Sequence, residues 1–246
     1  MKFPDPLIHG RLIKRYKRFL ADVTLDDGTE VTAHCANPGS MTGLANPGAE
    51  VWLSPSRNPK RKLKYSWELV RQDTGGNDPE PGEPASGLVG VSTAHPNGIV
   101  AEAISAGQVA ELTGYQNLRR EVKYGKNSRI DILLEDDNRP PCYVEVKNVN
   151  LCRVAGLAEF PDAVTARGTK HLHELTDMVA EGARAVMFYM VQRDDCSRMA
   201  VAADIDPTYA AALQEARKNG VETLCYDCTM SLTGIYLSKP ISMQMP

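Results

Sequence analysis

The sequence lacks a run that could be read as a membrane span, because no stretch of its 246 residues approaches the ~20 apolar residues that such a helix needs. The first residues, Met1 to Pro6, also lack the apolar core of a secretory signal. The 6 cysteines are scattered along the chain, and without a signal a disulfide framework is not expected. We therefore predict a cytoplasmic protein with no membrane partner.

Basic charge is concentrated near the start of the chain, although the whole sequence has a net charge of −3. Residues 1–90 carry 12 Lys and Arg against 11 acids, and three of those acids fall between residues 74 and 87. A local excess of cations bears on nucleic-acid binding more than the total charge does. The first part of the chain is therefore the expected nucleic-acid-binding part.

Short strands separated by turns fill residues 1–92. Alternating apolar residues flank a turn at Asp26–Gly28, and further strands are expected at 50–53, 63–72 and 88–92. About five short strands in this length are typical of an oligonucleotide-binding (OB) barrel. Residues 74–87 are rich in Gly, Pro and acids, and are expected to form a loop within the barrel domain or a linker after it.

Cations interleaved with aromatic rings make this barrel a candidate for binding single strands, since cations track phosphates and rings stack on bases. The candidate DNA-binding residues of the barrel are Arg11, Lys14, Arg15, Tyr16, Lys17, Arg18, Lys60, Arg61 and Lys62. The alternative is a solvated basic face whose rings turn into the core, and strand alternation requires this of some of them.

From residue 93 to 246 the pattern is that of a mixed α/β layer. Helical spacing of apolar residues predicts a helix at 98–113, ended by Gly114. Further helices are expected at 162–181 and 207–218, and strands at 118–124, 185–191 and 221–226. The predicted fold class is thus α+β with two domains: an N-terminal OB-like barrel and a C-terminal mixed α/β domain.

The residues with the clearest chemistry lie in a predicted hairpin from Ser128 to Val149. Glu145 and Lys147 are two residues apart on one strand, so both point to the same face. Folding of the hairpin brings Asp131 beside Glu145. Two carboxylates can hold Mg²⁺ and a lysine can orient water, which suits phosphodiester hydrolysis. The alternative is a surface salt bridge between Glu145 and Lys147.

These strands resemble the core of the PD-(D/E)xK nuclease superfamily. Four further segments are similar to the sugar fermentation stimulation protein family, SfsA: Leu12–Val23 (LIKRYKRFLADV), Asn37–Met41 (NPGSM), Glu121–Gly125 (EVKYG) and Phe160–Leu172. The similarity covers nearly the whole chain. It implies an N-terminal OB-like domain, a C-terminal nuclease-like domain, DNA binding, and a link to the expression of sugar-utilisation genes.

The resemblance also implies roles for individual residues. Asp131 and Glu145 bind the metal ion, expected to be Mg²⁺ or Mn²⁺, and Lys147 assists the attacking water. A glutamate on the preceding helix, most simply Glu102, completes the metal site.

A second group of cations lies on the helix predicted at 162–181. Arg167, Lys170 and His171 are spaced i, i+3 and i+4, hence on one helical face. They are candidates for contacts with phosphates next to the scissile one. An exposed basic face without function is the alternative.

Two functions follow from these patterns. The first is a Mg²⁺- or Mn²⁺-dependent DNA nuclease, favoured by the intact Asp131, Glu145 and Lys147. The second is a non-catalytic DNA-binding regulator of sugar-utilisation genes built on a nuclease fold. The sequence leaves open whether the DNA is single-stranded, duplex or branched, and whether the protein forms a homodimer.

Overall fold

The structure, a computed structural model, describes residues 1–73, 86–125 and 128–245. Most of the loop expected at 74–87 therefore lies outside the described residues. The elements of the first part are β1 Ile8–Tyr16, β2 Leu20–Leu25, β3 Glu30–His34, β4 Glu50–Pro55, β5 Tyr65–Asp73 and β6 Ser86–Gly90. Those of the second part are α1 Pro96–Ser105, a 3-10 turn Ala110–Leu112, β7 Asn117–Tyr124, β8 Ser128–Asp136, β9 Arg139–Val149, β10 Leu151–Val154, β11 Gly156–Phe160, α2 Ala166–Ala180, β12 Arg184–Val191, β13 Cys196–Val201, α3 Pro207–Lys218, β14 Glu222–Ser231, β15 Gly234–Pro240 and β16 Ser242–Gln244.

The first five strands close into a barrel. Antiparallel pairing links β3, β2, β1, β4 and β5 in that order, and parallel pairing of β3 with β5 closes the ring. Strand β6 extends the sheet beyond β5. The inward-facing residues of these strands, Leu12, Val23, Leu53 and Trp67 among them, are buried, as the alternation predicts. This connectivity confirms the predicted OB-like barrel.

The second part is built on a six-stranded mixed sheet with the order β15-β14-β12-β9-β8-β7. Helix α1 packs on one face of this sheet, and α2 and α3 pack on the other. Strand β12 lies at the centre between parallel neighbours β9 and β14, which explains its unbroken apolar run. A smaller sheet, β10-β11-β13-β16, was not predicted from the sequence.

Two of the predicted helix boundaries were wrong. Helix α1 ends at Ser105 instead of 113, because Gly107 adopts a φ of 72° that ends the helix there. Helix α2 begins at Ala166, where the side chain of Thr165 accepts a hydrogen bond from the Gly168 amide. Helix α3 at Pro207–Lys218 matches the prediction. No helix within the described residues is long and apolar enough to cross a membrane.

The barrel and the second part pack against each other through a shared hydrophobic cluster. The barrel interior has a cluster of its own, but Trp52 and Leu69 of the barrel pack with α1 and the central sheet. The fully buried Arg193 reinforces this junction, since its guanidinium donates to Asp195, to the Asn150 carbonyl and to Gln72 Oε1. The division of the chain at residue 92 therefore stays a prediction, because packing continues across it.

Candidate active site in the fork between two strands

The predicted hairpin opens into a fork. Strands β8 and β9 are paired from Asp136 and Arg139 as far as Ile132 and Val144. Beyond that pair the start of β8 pairs with β7, and the end of β9 pairs with β12. The first residue past the last pair is Asp131 on β8 and Glu145 on β9. The two acids therefore lie opposite each other where the strands separate, in the positions that the predicted hairpin gives them.

Both oxygens of Asp131 are held by donors. Oδ2 accepts from the Val146 amide at 2.8 Å, which fills the place of a ladder partner that β8 no longer provides. Oδ1 accepts from Nδ2 of Asn97, in the first turn of α1, at 2.6 Å. Burial, and then the neighbouring Glu145 carboxylate, raise the pKa of Asp131 to about 6.

Glu145 is 2% exposed and has two cationic or polar neighbours on one oxygen. Lys147 Nζ donates to Oε1 at 2.8 Å, and His171 Nδ1, on α2, donates to the same oxygen. Burial alone would raise the pKa of Glu145, but the His171 hydrogen bond and the Lys147 charge outweigh burial and lower it. The pKa values of the two acids of the fork are therefore shifted in opposite directions, which is typical of carboxylates with different roles in a site.

The surroundings of the second oxygen of Glu145 show whether the fork could hold a metal ion. Oε2 is buried and has no hydrogen-bond partner among the described residues. An unpaired buried carboxylate oxygen is costly, and a divalent cation would satisfy it. No three His, Cys, Asp or Glu side chains of the described residues form a cage that could hold a metal ion. Mg²⁺ needs no such cage, because it is commonly held by one or two carboxylates, waters and substrate phosphate. The residues present thus fit a divalent ion.

Glu102 is not part of this site. Its carboxylate lies 3.0 Å from the N-terminal ammonium of Met1, and its side chain is 61% exposed. The helix contributes Asn97 instead, from its first turn and on another side of α1. The prediction of Glu102 as the completing ligand was wrong, because the first turn of helix α1 lies beside the fork and the middle of the helix does not.

Another acid near the fork was missed by sequence reasoning. Glu121 Oε1 lies 3.4 Å from Asn97 Nδ2, the group that also binds Asp131. Glu121 has a φ of 54°. Pairing of β7 with β8 is interrupted at this point, because Glu121 and Asp131 lie between the paired residues of the two strands and do not pair. Residues in this left-handed region that are not glycine cluster at functional sites. The signal was present only as part of the EVKYG segment.

The candidate DNA-binding residues of strand β1 mostly have partners inside the barrel. Arg15 donates to the carbonyls of Asn37 and Gly39, at 2.8 and 3.0 Å, so it fastens a loop and is not free for a ligand. The pairs Arg11 with Glu50, Lys14 with Asp22, and Tyr16 with Asp22 also lie within the barrel. The sequence could not show this, because the partners come from other strands and from the loop after β3.

The remaining barrel cations are placed differently. They lie in the β1–β2 turn, Lys17 and Arg18, and in the β4–β5 loop, Lys60, Arg61 and Lys62. Within the described part of the chain none of these five side chains forms an ion pair with an acid. These five cations are therefore available to phosphates.

Of the three cations predicted on helix α2, one is buried and two are exposed. His171 is buried against Glu145, so it belongs to the site and does not form part of an exposed binding face. Arg167 is exposed, and its Nε donates to His171 Nε2 at 3.3 Å. Lys170 donates to Ser128 Oγ at 3.0 Å, at the start of β8, and lies 3.5 Å from the Glu174 carboxylate. Arg167 and Lys170 therefore flank the fork on its α2 side.

Comparison with known proteins finds similar sequences along nearly the whole chain. The family model described as "SfsA N-terminal OB domain" matches residues 13–77, and "Sugar fermentation stimulation protein RE domain" matches residues 94–234. The sugar fermentation stimulation protein homolog of Paramagnetospirillum magneticum is 61% identical over 245 residues, covering 100% of this chain and 98% of that protein. The homolog of Maricaulis maris is 54% identical, covering 100% and 99%.

Among solved structures, Pyrococcus furiosus SfsA in complex with Ca²⁺ aligns with a TM-score of 0.83 and 24% identity, over 100% of both chains. At this identity the likeness shows the fold alone. It agrees with the predicted order of an OB-like barrel followed by a mixed α/β domain, which the strand pairing and the family model of an N-terminal OB domain confirm.

Proposed function

The chain belongs to the sugar fermentation stimulation protein family, SfsA, and from this premise we propose that it is a metal-dependent nuclease that hydrolyses phosphodiester bonds in DNA. The observation that carries the proposal is the fork itself. It holds the buried carboxylate of Glu145, which has an unpaired oxygen, beside the partly buried carboxylate of Asp131, with a lysine next to them. That the Pyrococcus furiosus relative was solved with Ca²⁺ agrees with a divalent-ion site in this fold.

Asp131 and Glu145 would hold the ion, and Asn97 and His171 keep their carboxylates oriented. A bound divalent ion supplies charge neutralisation at the phosphate and a lowered pKa for a bound water. Lys147 Nζ, now on Glu145 Oε1, has further protons to donate to a phosphate oxygen or to the attacking water. The protein's own contribution is therefore positioning and a preformed cationic donor.

DNA is proposed as the substrate because cations lie both beside the fork and on the barrel. Arg167 and Lys170 flank the fork, and the barrel loops carry Lys17, Arg18 and Lys60–Lys62. The loop cations, which have no acidic partners among the described residues, attract phosphates and release counterions on binding. A protein with this arrangement is expected to grip the backbone and to present one phosphate to the fork.

The alternative is a DNA-binding regulator of sugar-utilisation genes that does not cut. One observation favours it: Glu145 Oε1 already accepts hydrogen bonds from the Lys147 ammonium and from His171 Nδ1. Such a fork is stable as a scaffold. The intact donor set, and the orphaned Oε2 in particular, favour the enzyme.

The test is incubation of the purified protein with single-stranded, duplex and branched DNA in Mg²⁺, Mn²⁺ or EDTA. We expect cleavage of at least one form with a divalent metal, and none in EDTA or with Asp131→Asn. Calorimetric titration of metal into wild type and Asp131→Asn separates metal binding from activity. Tight DNA binding with no cleavage under any metal would reject the enzyme and leave the regulator.

A further inference from the structure

Phe19 is an unusual residue for the surface of a barrel. Within the described barrel strands and loops it is the one large apolar side chain that is exposed, at 46%. Its ring lies nearly parallel to that of His34, with an angle of 18° between planes and 6.5 Å between centroids. A single exposed ring is common on proteins and means little alone. The residues around this ring indicate a binding surface.

The turn that carries Phe19 is strained and cationic. Lys17 and Arg18 have φ values of 47° and 61°, a region that favours glycine or asparagine in a short hairpin turn. The structure compensates: Arg15 Nε donates to the Arg18 carbonyl at 3.0 Å, and the Cys35 amide donates to the Phe19 carbonyl at 2.9 Å. These hydrogen bonds hold the strained turn in place and so keep the two cations, Lys17 and Arg18, next to the Phe19 ring.

The β4–β5 loop brings more cations to the same end of the barrel. His34 pairs with Leu20 on one side and with Ser66 on the other, so it lies between the Phe19 turn and the end of that loop. Burial, and then the nearby Arg61 guanidinium, lower the pKa of His34, so its ring is neutral at pH 7. Two parallel uncharged rings therefore lie between two cationic loops.

We propose that the Phe19–His34 ring pair is a base-stacking platform for single-stranded DNA, with its phosphates contacted by the cations of the two flanking loops. Every base has a face on which an aromatic ring can stack, but only an unpaired base presents it. Duplex DNA offers phosphates and groove edges to such a surface, not base faces. The inference rests on the proposed function and names its substrate class as DNA with unpaired bases.

The platform is fastened to the helix that reaches the fork. Two residues after His34, the Ala36 carbonyl accepts from the Thr93 amide at 2.9 Å. His95, at the start of α1, bonds Glu68 of the barrel at 2.7 Å. Asn97 on the same helix holds Asp131. These direct bonds fix the platform and the fork relative to each other, as a protein that holds a strand while cutting it requires.

The experiment compares binding of fluorescent oligo(dT), an abasic oligomer of equal length, and a duplex, in EDTA. Wild type should prefer oligo(dT) over the abasic strand, and Phe19→Ala should lose about tenfold affinity for oligo(dT), the scale of one base–aromatic stack. Its affinity for the abasic strand and the duplex should not change. The salt slope should also be unchanged, because no charge is removed. Tyr236→Ala, which removes a ring that is 42% exposed on β15, is the matched control and should behave as wild type.

Phe19→Trp adds a direct readout, since it keeps an aromatic face. It should bind oligo(dT) as wild type does, and its added fluorescence should be quenched by oligo(dT) and not by the abasic strand. Equal oligo(dT) affinity of wild type and Phe19→Ala overturns the platform while leaving DNA binding, and the proposed function, in place. A loss that is equal for duplex, abasic strand and oligo(dT) also overturns it. If wild type binds none of the three, the proposed function fails as well.

Discussion

The charge of Asp131 should destabilise the protein when no metal ion is bound, and replacement by Asn tests this. The pKa of Asp131 is raised from 3.8 to about 6 by burial and by the Glu145 carboxylate. Because the folded state holds this proton more tightly than the unfolded state, the stability it contributes is present below about pH 4. That stability is lost as the pH rises through about 6. The shift corresponds to about 3 kcal/mol at pH 7.

The Asn variant separates charge from hydrogen bonding. Asp131 accepts from both the Val146 amide and Asn97 Nδ2, and an Asn side chain can accept only one of these with its single oxygen. This loss costs about 1–3 kcal/mol at every pH. The charge contribution, in contrast, changes with pH. The stability of Asp131→Asn relative to wild type should therefore rise by about 2.4 kcal/mol between pH 4 and pH 7, whatever its absolute value.

Urea denaturation in EDTA at several pH values between 4 and 7 measures this difference. Asp137→Asn, an exposed acid in the turn of the same hairpin, is the control and should give a curve parallel to wild type. Added Mg²⁺ or Mn²⁺ at about 100 times its Kd should stabilise wild type by about 2.7 kcal/mol and leave Asp131→Asn unaffected. Parallel pH curves for wild type and Asp131→Asn would refute the electrostatic reasoning. A normal metal response in the variant would show that Asp131 is not a ligand.

Three further changes address the site, the junction and the barrel. Lys147→Ala should keep DNA and metal binding and lose about 10²-fold or more in single-turnover cleavage, the scale of one positioned electrostatic donor; cleavage at the wild-type rate would remove Lys147 from the mechanism. Asp195→Ala leaves a fully buried arginine without its carboxylate and should lower the urea-denaturation stability by about 3–5 kcal/mol, whereas Asp5→Ala, in an exposed ion pair, should leave the midpoint unchanged. Replacing Lys17 and Arg18 together by Ala should weaken DNA binding and reduce the slope of log K against log salt by about 0.7–0.9 for each phosphate that the variant no longer neutralises; an unchanged slope would show that other residues bind the phosphates.

Local signals in the sequence were sufficient for several elements. Pro207 at the first turn of α3 and Gly220 after its end gave that helix its boundaries, because capping depends on residues a few positions apart. The hairpin turn at Asp26–Gly28 and the apolar run of β12 could be predicted for the same reason. Glu145 and Lys147 share a face through strand alternation alone, so their proximity also followed from the sequence.

The composition of the site depended on contacts between distant segments. His171 has the spacing of an exposed helical cation, yet it is buried against Glu145, 26 residues earlier in the chain. Arg15 has the pattern of a DNA-binding cation, yet loop carbonyls more than 20 residues away take up its donors. Such partners leave no mark in local periodicity, because burial and pairing are decided when sheets and helices pack.

The sequence by itself determined the barrel, the mixed α/β domain, and the two acids and lysine of one hairpin, because alternation and turn chemistry act over a few residues. Tertiary structure decided what those residues can do. It ended the β8–β9 pairing at Ile132 and Val144, which opened the fork, and it brought Asn97 instead of Glu102 to Asp131. The register at which two strands part, and the face that a helix turns to a sheet, are set by packing of the whole core and not by any local pattern.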